Sequence, residues 1–462
     1  MKLTGLQNGA VLQRDIMTDA CAVLLHGAFT GMPRCAVGTL IQTGDDTWCL
    51  SGIPVGGPYT VTISDDQESM IFSDLYVGDV WLLAGQSNME GAGRMREKDF
   101  EEAMHPDPAI RAYYMRDQWD AANPQLHQLW ESSDAAHKAT FERERVHRQS
   151  SPIIVADFPP AEQVRGVGPG YFFAKTMFEK TGVPQGVIPC AVGGAPIEMW
   201  TPPVNGEDNY FTAAYRRIIA CGSRIRGMFW YQGEGYGGDL DDYDARFEAM
   251  RGAFASLCEM DVLPSILVQI FKCTIRSAYL SEENGRIWSR FRAHQWQMPA
   301  NLPLLAAVAS NDLQLDDCIH LSAASHEILG ARAADAMLSL LSGGDGGQPQ
   351  IAEIVALPDV CVPSWTQLHI RYRSIHGNLI SAVFPSGFSL GEDGAAPTCS
   401  QMQHISLIGD TVVLRLEMTK EELAKQDLWY AFGHTFYCNI TDEAGHALPA
   451  LGPIKLSDYI DT

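Results

Sequence analysis

The sequence predicts an α/β fold: a parallel sheet covered by helices on both faces, flanked by β-sandwich-like domains at the two ends of the chain. Three observations carry that prediction. Between about residues 77 and 341, short continuously apolar runs alternate with longer amphipathic stretches, as expected of strands buried on both faces. Residues 1–75 hold only short β-rich runs broken by turn formers, the spacing of a small sandwich. Beyond the glycine-rich stretch 342–350 the chain returns to β-rich runs, and that stretch reads as a linker.

Taken in order, the N-terminal strands are "ACAVLLHGAF", "CAVGTLIQTG" and "YTVTISDD", separated by "GMP", "GDD" and "VGGP". The core strands are expected at 79–85, 186–194, 226–234, 265–271 and 303–310, and the clearest helices at 170–182 and 322–341. Residues 94–165 depart from this rhythm. They are polar, rich in His and Arg, and read as a lid-like insertion beside the sheet. "QLHIRYRS", "LISAVFPSG", "TVVLRLEM" and "LWYAFGHTFYCNI" are the C-terminal strands. The expected domains are therefore 1–75, 76–345 and 346–462, with no internal repeat.

With 46% hydrophobic and 19% charged residues among 462, the chain has ample material for a large core. Its formal charge of −23, from 33 basic and 56 acidic residues, repels phosphate backbones and anionic membranes. Nucleic acid and membrane surfaces are thus not expected partners. The first residues lack the apolar core of a signal peptide, and no run reaches the roughly 18 apolar residues of a membrane span. A cytoplasmic location is the expectation. The 11 cysteines are odd in number and form no C-x-x-C pair, which reads as free thiols rather than disulfides or a cysteine zinc site. Oligomeric state is not legible.

Ligands of open α/β sheets bind beyond the carboxyl ends of the strands, and here those ends carry unusual residues. The first ends at Gln86, Ser87 and Asn88, the second at Gly193, Gly194 and, a turn later, Glu198, and the third at Gln232 and Glu234. Asp317 and His320 precede the last helix. Acyl transfer needs a hydroxyl, an imidazole to take its proton, a carboxylate to hold that imidazole, and preset donors for the oxyanion. Ser87, His320 and Asp317 supply the first three. The amides of Ser87 and of Gly193 or Gly194, with the Gln232 side chain, supply the donors. Each piece has a plainer reading: Ser87 and Glu90 as a helix capping box, His320 as a core or cap histidine, the glycines as a close-packing device, and Gln232 with Glu234 as a buried polar pair. Gly85 and Gly91 are expected to leave room for an acyl group.

Four blocks together, "GDVWLLAGQSNMEG", "GVIPCAVGGAPIEMW", "FWYQGE" and "DDCIHLSAASHEILGAR", resemble the SGNH hydrolases, specifically the sialate O-acetylesterase and carbohydrate acetylesterase branch. "GAVLQRD", "VGGPYTVTI" and "LWYAFGHTFYCNITDEAGHALPA" extend the likeness over most of the chain. The resemblance implies a flavodoxin-like three-layer core and a serine esterase that removes acetyl groups from a sugar or oligosaccharide, without metal or organic cofactor. It implies Ser87 as nucleophile, His320 as general base and acid, and Asp317 as its partner, with Asp316 in competition. Gln86, Asn88, Glu198 and Glu234 then hold the loops. Trp200 and Tyr236 are the favoured sugar-stacking rings, with Trp119, Trp130 and Trp230 behind them. Arg94 and the basic run 143–148 read as solvated surface or as an offset to the negative field for an anionic sugar. Two departures stand out: Ala195 replaces a hydroxyl residue, and Leu321 replaces a frequent proline, which is expected to loosen that turn. The alternatives are an inactive carbohydrate-binding protein on the same fold, or an SGNH lipase or thioesterase.

Overall fold

A computed structural model describes residues 3–103, 107–138, 163–274, 281–392 and 396–460. The chain forms two compact units. The first comprises Met1–Gly233, Asp241–Ser265 and His320–Ala334; the second comprises Glu234–Leu240, Ile266–Ile319 and Asp335–Thr462.

The first unit is organised by one strand of 17 residues, Ser69–Gly85. The sequence predicts only 79–85 of it as a strand, because the residues before Leu75 are largely exposed and lack the continuous apolar run that marks the rest. Its first half pairs antiparallel with Gly56–Ser64. Val11–Asp15 joins it in parallel at Tyr76–Gly78 and carries the antiparallel strands Ala20–His26, Thr47–Pro54 and Thr39–Gly44. From Leu75 onward every residue of the long strand is buried. Here Gln185–Pro189 lies parallel on one side and Gly227–Tyr231 parallel on the other. The apolar strands expected at 79–85, 186–194 and 226–234 are thus neighbours.

Helices cover both faces of this sheet, as the alternation of side chains shows. Phe229 and Trp230 are adjacent and so point to opposite faces. Phe229 meets Phe173 of the helix Pro169–Thr181, with ring centroids 5.3 Å apart, and Phe173 also stands edge-on to Trp81 at 5.2 Å. Trp230 meets Phe247 of the helix Leu240–Leu257 at 6.0 Å. The stretch read as a lid contributes to the sheet itself: Ile110–Tyr114 is a fully buried strand parallel to Gln185–Pro189, extended by the hairpin strand Gln118–Ala121. Its five residues are too few to show a period against their polar surroundings. Gly93–Arg96 pairs with Gln163–Val167.

In the second unit the strands Ser265–Val268 and Leu305–Val308 pair, and the helix Glu282–Asn301 follows the first of them. Two antiparallel sheets follow. One has the order Gln350–Pro358, Thr366–Arg373, Thr411–Leu416, Met402–Ile408; the other has Phe388–Glu392, Gln426–Tyr430, Leu451–Lys455. Side chains of both, among them Leu368, Ile370, Leu414, Leu428 and Tyr430, meet in one core. Polar cross-links tie this unit together. Gln269 donates to the carbonyls of Arg292 and Ala450 and accepts the amide of Ala450, each at 2.8 Å. The fully buried Arg292 donates to the carbonyls of Ala431 and Gly433 at 2.6 Å. Among the described residues no helix is long and apolar enough to cross a membrane.

Three histidines of the first unit are enclosed: His127, His137 and His326. Burial is the main cause that holds them neutral, with the Arg217 charge adding to it at His127 and His137, bringing His127 and His326 down to about 3 and His137 to about 4. The unfolded chain binds protons on these rings below a pH of about 6.5, whereas the native fold refuses them, so stability is present above that value and is lost as pH falls. Each ring contributes a slope of at most about 1.4 kcal/mol per pH unit. His326→Leu removes one such ring. The unfolding free energy of the parent, measured by denaturant titration, is expected to fall more steeply than that of the variant between pH 6 and pH 4.5; identical slopes would exclude the effect.

Candidate active site

Because the three central strands are parallel, their carboxyl ends lie side by side, and short backbone links fasten the loops that leave them. The amide of Gln86 donates to the Tyr231 carbonyl at 2.9 Å, that of Cys190 to Leu83 at 2.8 Å, and that of Val192 to Gly85 at 3.2 Å. Gly85 has a φ of +135°, and a Cβ there would fall 2.1 Å from the Tyr231 carbonyl oxygen. At Gly91 a Cβ would fall 2.5 Å from the Gly166 carbonyl oxygen. Both glycines therefore serve close backbone approach, not room for an acyl group.

The chain turns after Gly85 into a single helical turn, Ser87–Glu90, whose N-cap is Gln86 and not Ser87. The capping-box reading fails on this point: Ser87 is the first helical residue, and its hydroxyl lies 2.9 Å from Nε2 of His320, 233 residues away. Among the described residues the amides of Ser87 and Gly194 donate no hydrogen bond.

Glu90, which the sequence offers only as half of a cap, has a specific task. It is buried, and its Oε2 accepts the amide of Gly193 at 2.6 Å. Gly193 is therefore committed to Glu90, which leaves Gly194, exposed at the tip of the same turn, as the glycine with a donor to offer. In the sequence the only sign of this was an acidic residue among apolar and glycine neighbours.

Asn88 is fully buried, and its Oδ1 accepts the amide of Leu321 at 3.0 Å. Proline at 321 would have no such donor. Leu321 thus ties the histidine segment to the serine turn, and the expected loosening is reversed. Gln86 is buried, and its Oε1 accepts the amide of Gly233 at 3.4 Å. Gln232 is buried as well; its Nε2 donates to the Ala195 carbonyl at 3.3 Å and its own carbonyl accepts the Tyr243 hydroxyl. Asp317 and Asp316 are half-buried. Asp317 accepts the amide of Ile319 on Oδ1 at 2.9 Å, which fixes its carboxylate within the turn that leads to residue 320. Glu234 is buried, in the second unit.

Several expected residues stand elsewhere. Trp200 is fully enclosed, edge-on to Trp230 at 5.4 Å and tilted against Tyr210 at 6.0 Å. It is part of the core and has no face to offer a sugar. Trp230 is equally enclosed, and Trp119 packs on Tyr113 at 5.6 Å. Trp130 is exposed, and Tyr236 is half-exposed with its ring 5.3 Å from Phe291. Glu198 is an exposed carboxylate in the turn Ile197–Trp200 and, among the described residues, holds no loop through its side chain. Arg94 is buried, not solvated. The basic run 143–148 lies outside the described residues.

The chain is 26% identical over 296 residues to a probable carbohydrate esterase of Arabidopsis thaliana, covering 61% of this chain and 97% of that protein. It is also 26% identical over 250 residues to the human sialate O-acetylesterase, covering 46% of this chain and 43% of that protein. The alignment thus spans less than half of the human relative. In three dimensions it resembles a carbohydrate acetylesterase of Xanthomonas citri with a TM-score of 0.65 at 20% identity, over 97% of this chain and 98% of that one, a likeness of fold. The family model for carbohydrate esterases described as sialic acid-specific acetylesterases matches residues 77–339. That span holds the serine turn, the glycine turn, Gln232 and the Asp317–His320 segment; the chain belongs to this carbohydrate esterase family and is a carboxylic ester hydrolase.

Proposed function

We propose that the chain removes O-acetyl groups from a carbohydrate through a covalent acetyl-serine, on a flavodoxin-like SGNH core at 76–345 with β domains at 1–75 and 346–462. The observation that carries this reading is the 2.9 Å approach of His320 Nε2 to Ser87 Oγ, a distance at which the imidazole takes the hydroxyl proton as the oxygen attacks. Asp317 holds the other ring nitrogen and stabilises the imidazolium.

Ser87 Oγ bonds to the acetyl carbonyl carbon, and the carbonyl electron pair moves onto oxygen. The amides of Ser87 and Gly194 and the Gln232 side chain receive that oxyanion. Donors already fixed in place pay no reorganisation cost as charge develops, and each is worth about 3–4 kcal/mol where one has been removed in other enzymes. Glu90 and Asn88 act as positioning residues, the first through Gly193 and the second through Leu321. The C–O bond to the sugar then breaks as His320 returns its proton to the sugar oxygen. Water, deprotonated by the same imidazole, attacks the acetyl carbon; the bond to Ser87 Oγ then breaks as His320 returns that proton to it, and acetate leaves.

The substrate class is an acetylated sugar or oligosaccharide, sialate or an acetylated hemicellulose unit. A cytoplasmic location suits the 11 cysteines, none of them in a disulfide, and the net charge of −23 disfavours nucleic acid and anionic membranes as partners.

Ser87→Ala is expected to lower kcat for p-nitrophenyl acetate at least about a thousandfold with the fold intact by circular dichroism; retained turnover rejects the nucleophile. Asp317→Asn is expected to lower kcat about a hundredfold or more, and Asp316→Asn less than about threefold; the reverse ranking would move the partner role to Asp316. Asn88→Ala leaves the buried Leu321 amide without an acceptor, at a cost of about 1–3 kcal/mol. Its kcat is expected to fall about ten- to a hundredfold with KM little changed; an unaltered kcat would remove Asn88 from the positioning of His320. Acetate release across acetylated sialosides, xylan and mannan identifies the sugar.

A further inference from the structure

We infer that His376, Asp442 and His446 form a binding site for a divalent transition-metal cation of the zinc type, in the second unit and separate from the esterase chemistry. Among the described residues, this is the one place where three side chains of the metal-ligating types converge, with one donor atom from each lying within 4.8 Å of the others. Oδ2 of Asp442 is 3.3 Å from Nδ1 of His376 and 3.2 Å from Nδ1 of His446. Ligand atoms about 2.0–2.2 Å from a tetrahedral zinc stand about 3.3–3.5 Å from one another. The two separations from Asp442 are close to such edges.

The hydrogen bonding of the cluster is crowded. The same Oδ2 also accepts the amide of His376 at 3.0 Å, so three nitrogens crowd one carboxylate oxygen that has about two lone-pair sites. A cation held by two imidazole lone pairs and that oxygen relieves the crowding, with the His376 amide left as the hydrogen bond that orients the carboxylate. The surroundings are built in the same sense. Oδ1 of Asp442 accepts the amide of His446 at 2.8 Å. On the far side of the His446 ring, Nε2 lies 3.6 Å from Oδ2 of Asp335. A carboxylate behind the other ring nitrogen is how metal-bound histidines are oriented, since it keeps the proton on that nitrogen and turns the free lone pair to the metal.

The donor set selects the ion. Two imidazoles and one carboxylate suit zinc and its neighbours in the transition series, whereas calcium and magnesium take oxygen ligands almost throughout. Asp442 and His446 are buried, while the His376 side chain is 56% exposed, which leaves the fourth position to water or a small ligand. The site joins two segments already linked by the strand pair Leu379–Ile380 and Thr441–Asp442, and Asp335 joins them to the helix Ala323–Leu341. A cation here clamps the edge of the C-terminal β region.

The test is isothermal titration of tag-free, chelator-treated full-length protein with zinc chloride, beside His376→Gln, whose exposed side chain can be exchanged without opening the core. One equivalent of zinc is expected to bind with a micromolar or tighter Kd, to be weakened at least tenfold in His376→Gln, and to raise the Tm of the parent but not of the variant. Absence of a stoichiometric site in the parent, or equal binding by parent and variant, overturns the assignment. Ester hydrolysis is not the readout, so failure here leaves the reading of Ser87 and His320 untouched.

Discussion

Gly85 lies so close to the backbone of Tyr231 that a single added carbon would collide with its carbonyl, and much of the candidate site depends on that approach. It brings the end of the long strand against the end of its parallel neighbour. The Gln86 amide can then reach Tyr231, and the Gln86 side chain can reach Gly233. The serine turn begins at once, with no slack in the chain between a buried strand and the helical turn that presents Ser87. Parallel pairing on the other side delivers the glycine turn to the same edge, where Glu90 fastens it.

Around this edge, buried polar side chains do structural work through backbone amides. Glu90, Asn88 and Gln86 each accept one N–H from a different loop. A buried acceptor without a donor costs more than the bond returns, so each pair constrains both partners. Three loops from distant parts of the sequence are thereby referenced to one short turn. The consequence for an acyl-transfer reading is that oxyanion donors and base share a frame with the nucleophile, which is what preorganisation requires. Substituting leucine for proline at 321 fits this scheme, because it supplies the amide that Asn88 takes.

The aromatic residues show how function can be overread. A tryptophan beside a candidate site invites a sugar-stacking role, yet Trp200, Trp230 and Trp119 fill the interior between sheet and covering elements. Their burial reflects the large apolar area such rings remove from water. Arg94 errs in the opposite direction: it lies in a polar stretch and is nevertheless buried.

Much of the architecture was legible in the chain because strand and helix periods, turn residues and continuous apolar runs are local properties. The α/β core and the parallel strand ends follow from them, while Ser87 and His320 stand out by their places beside those ends and by the resemblance their blocks carry. The 17-residue strand was seen only in part, since its outer part is largely exposed while its inner part is buried on both faces. The strand Ile110–Tyr114 was not seen at all, because five residues carry no resolvable period. Tertiary structure alone decided which of two glycines keeps a free amide, that Glu90 braces the glycine loop, and that Leu321 tightens its turn. It also brought His376 to Asp442 across 66 residues. These are questions of which polar groups meet after the chain has closed on itself, and a linear pattern records the groups without their partners.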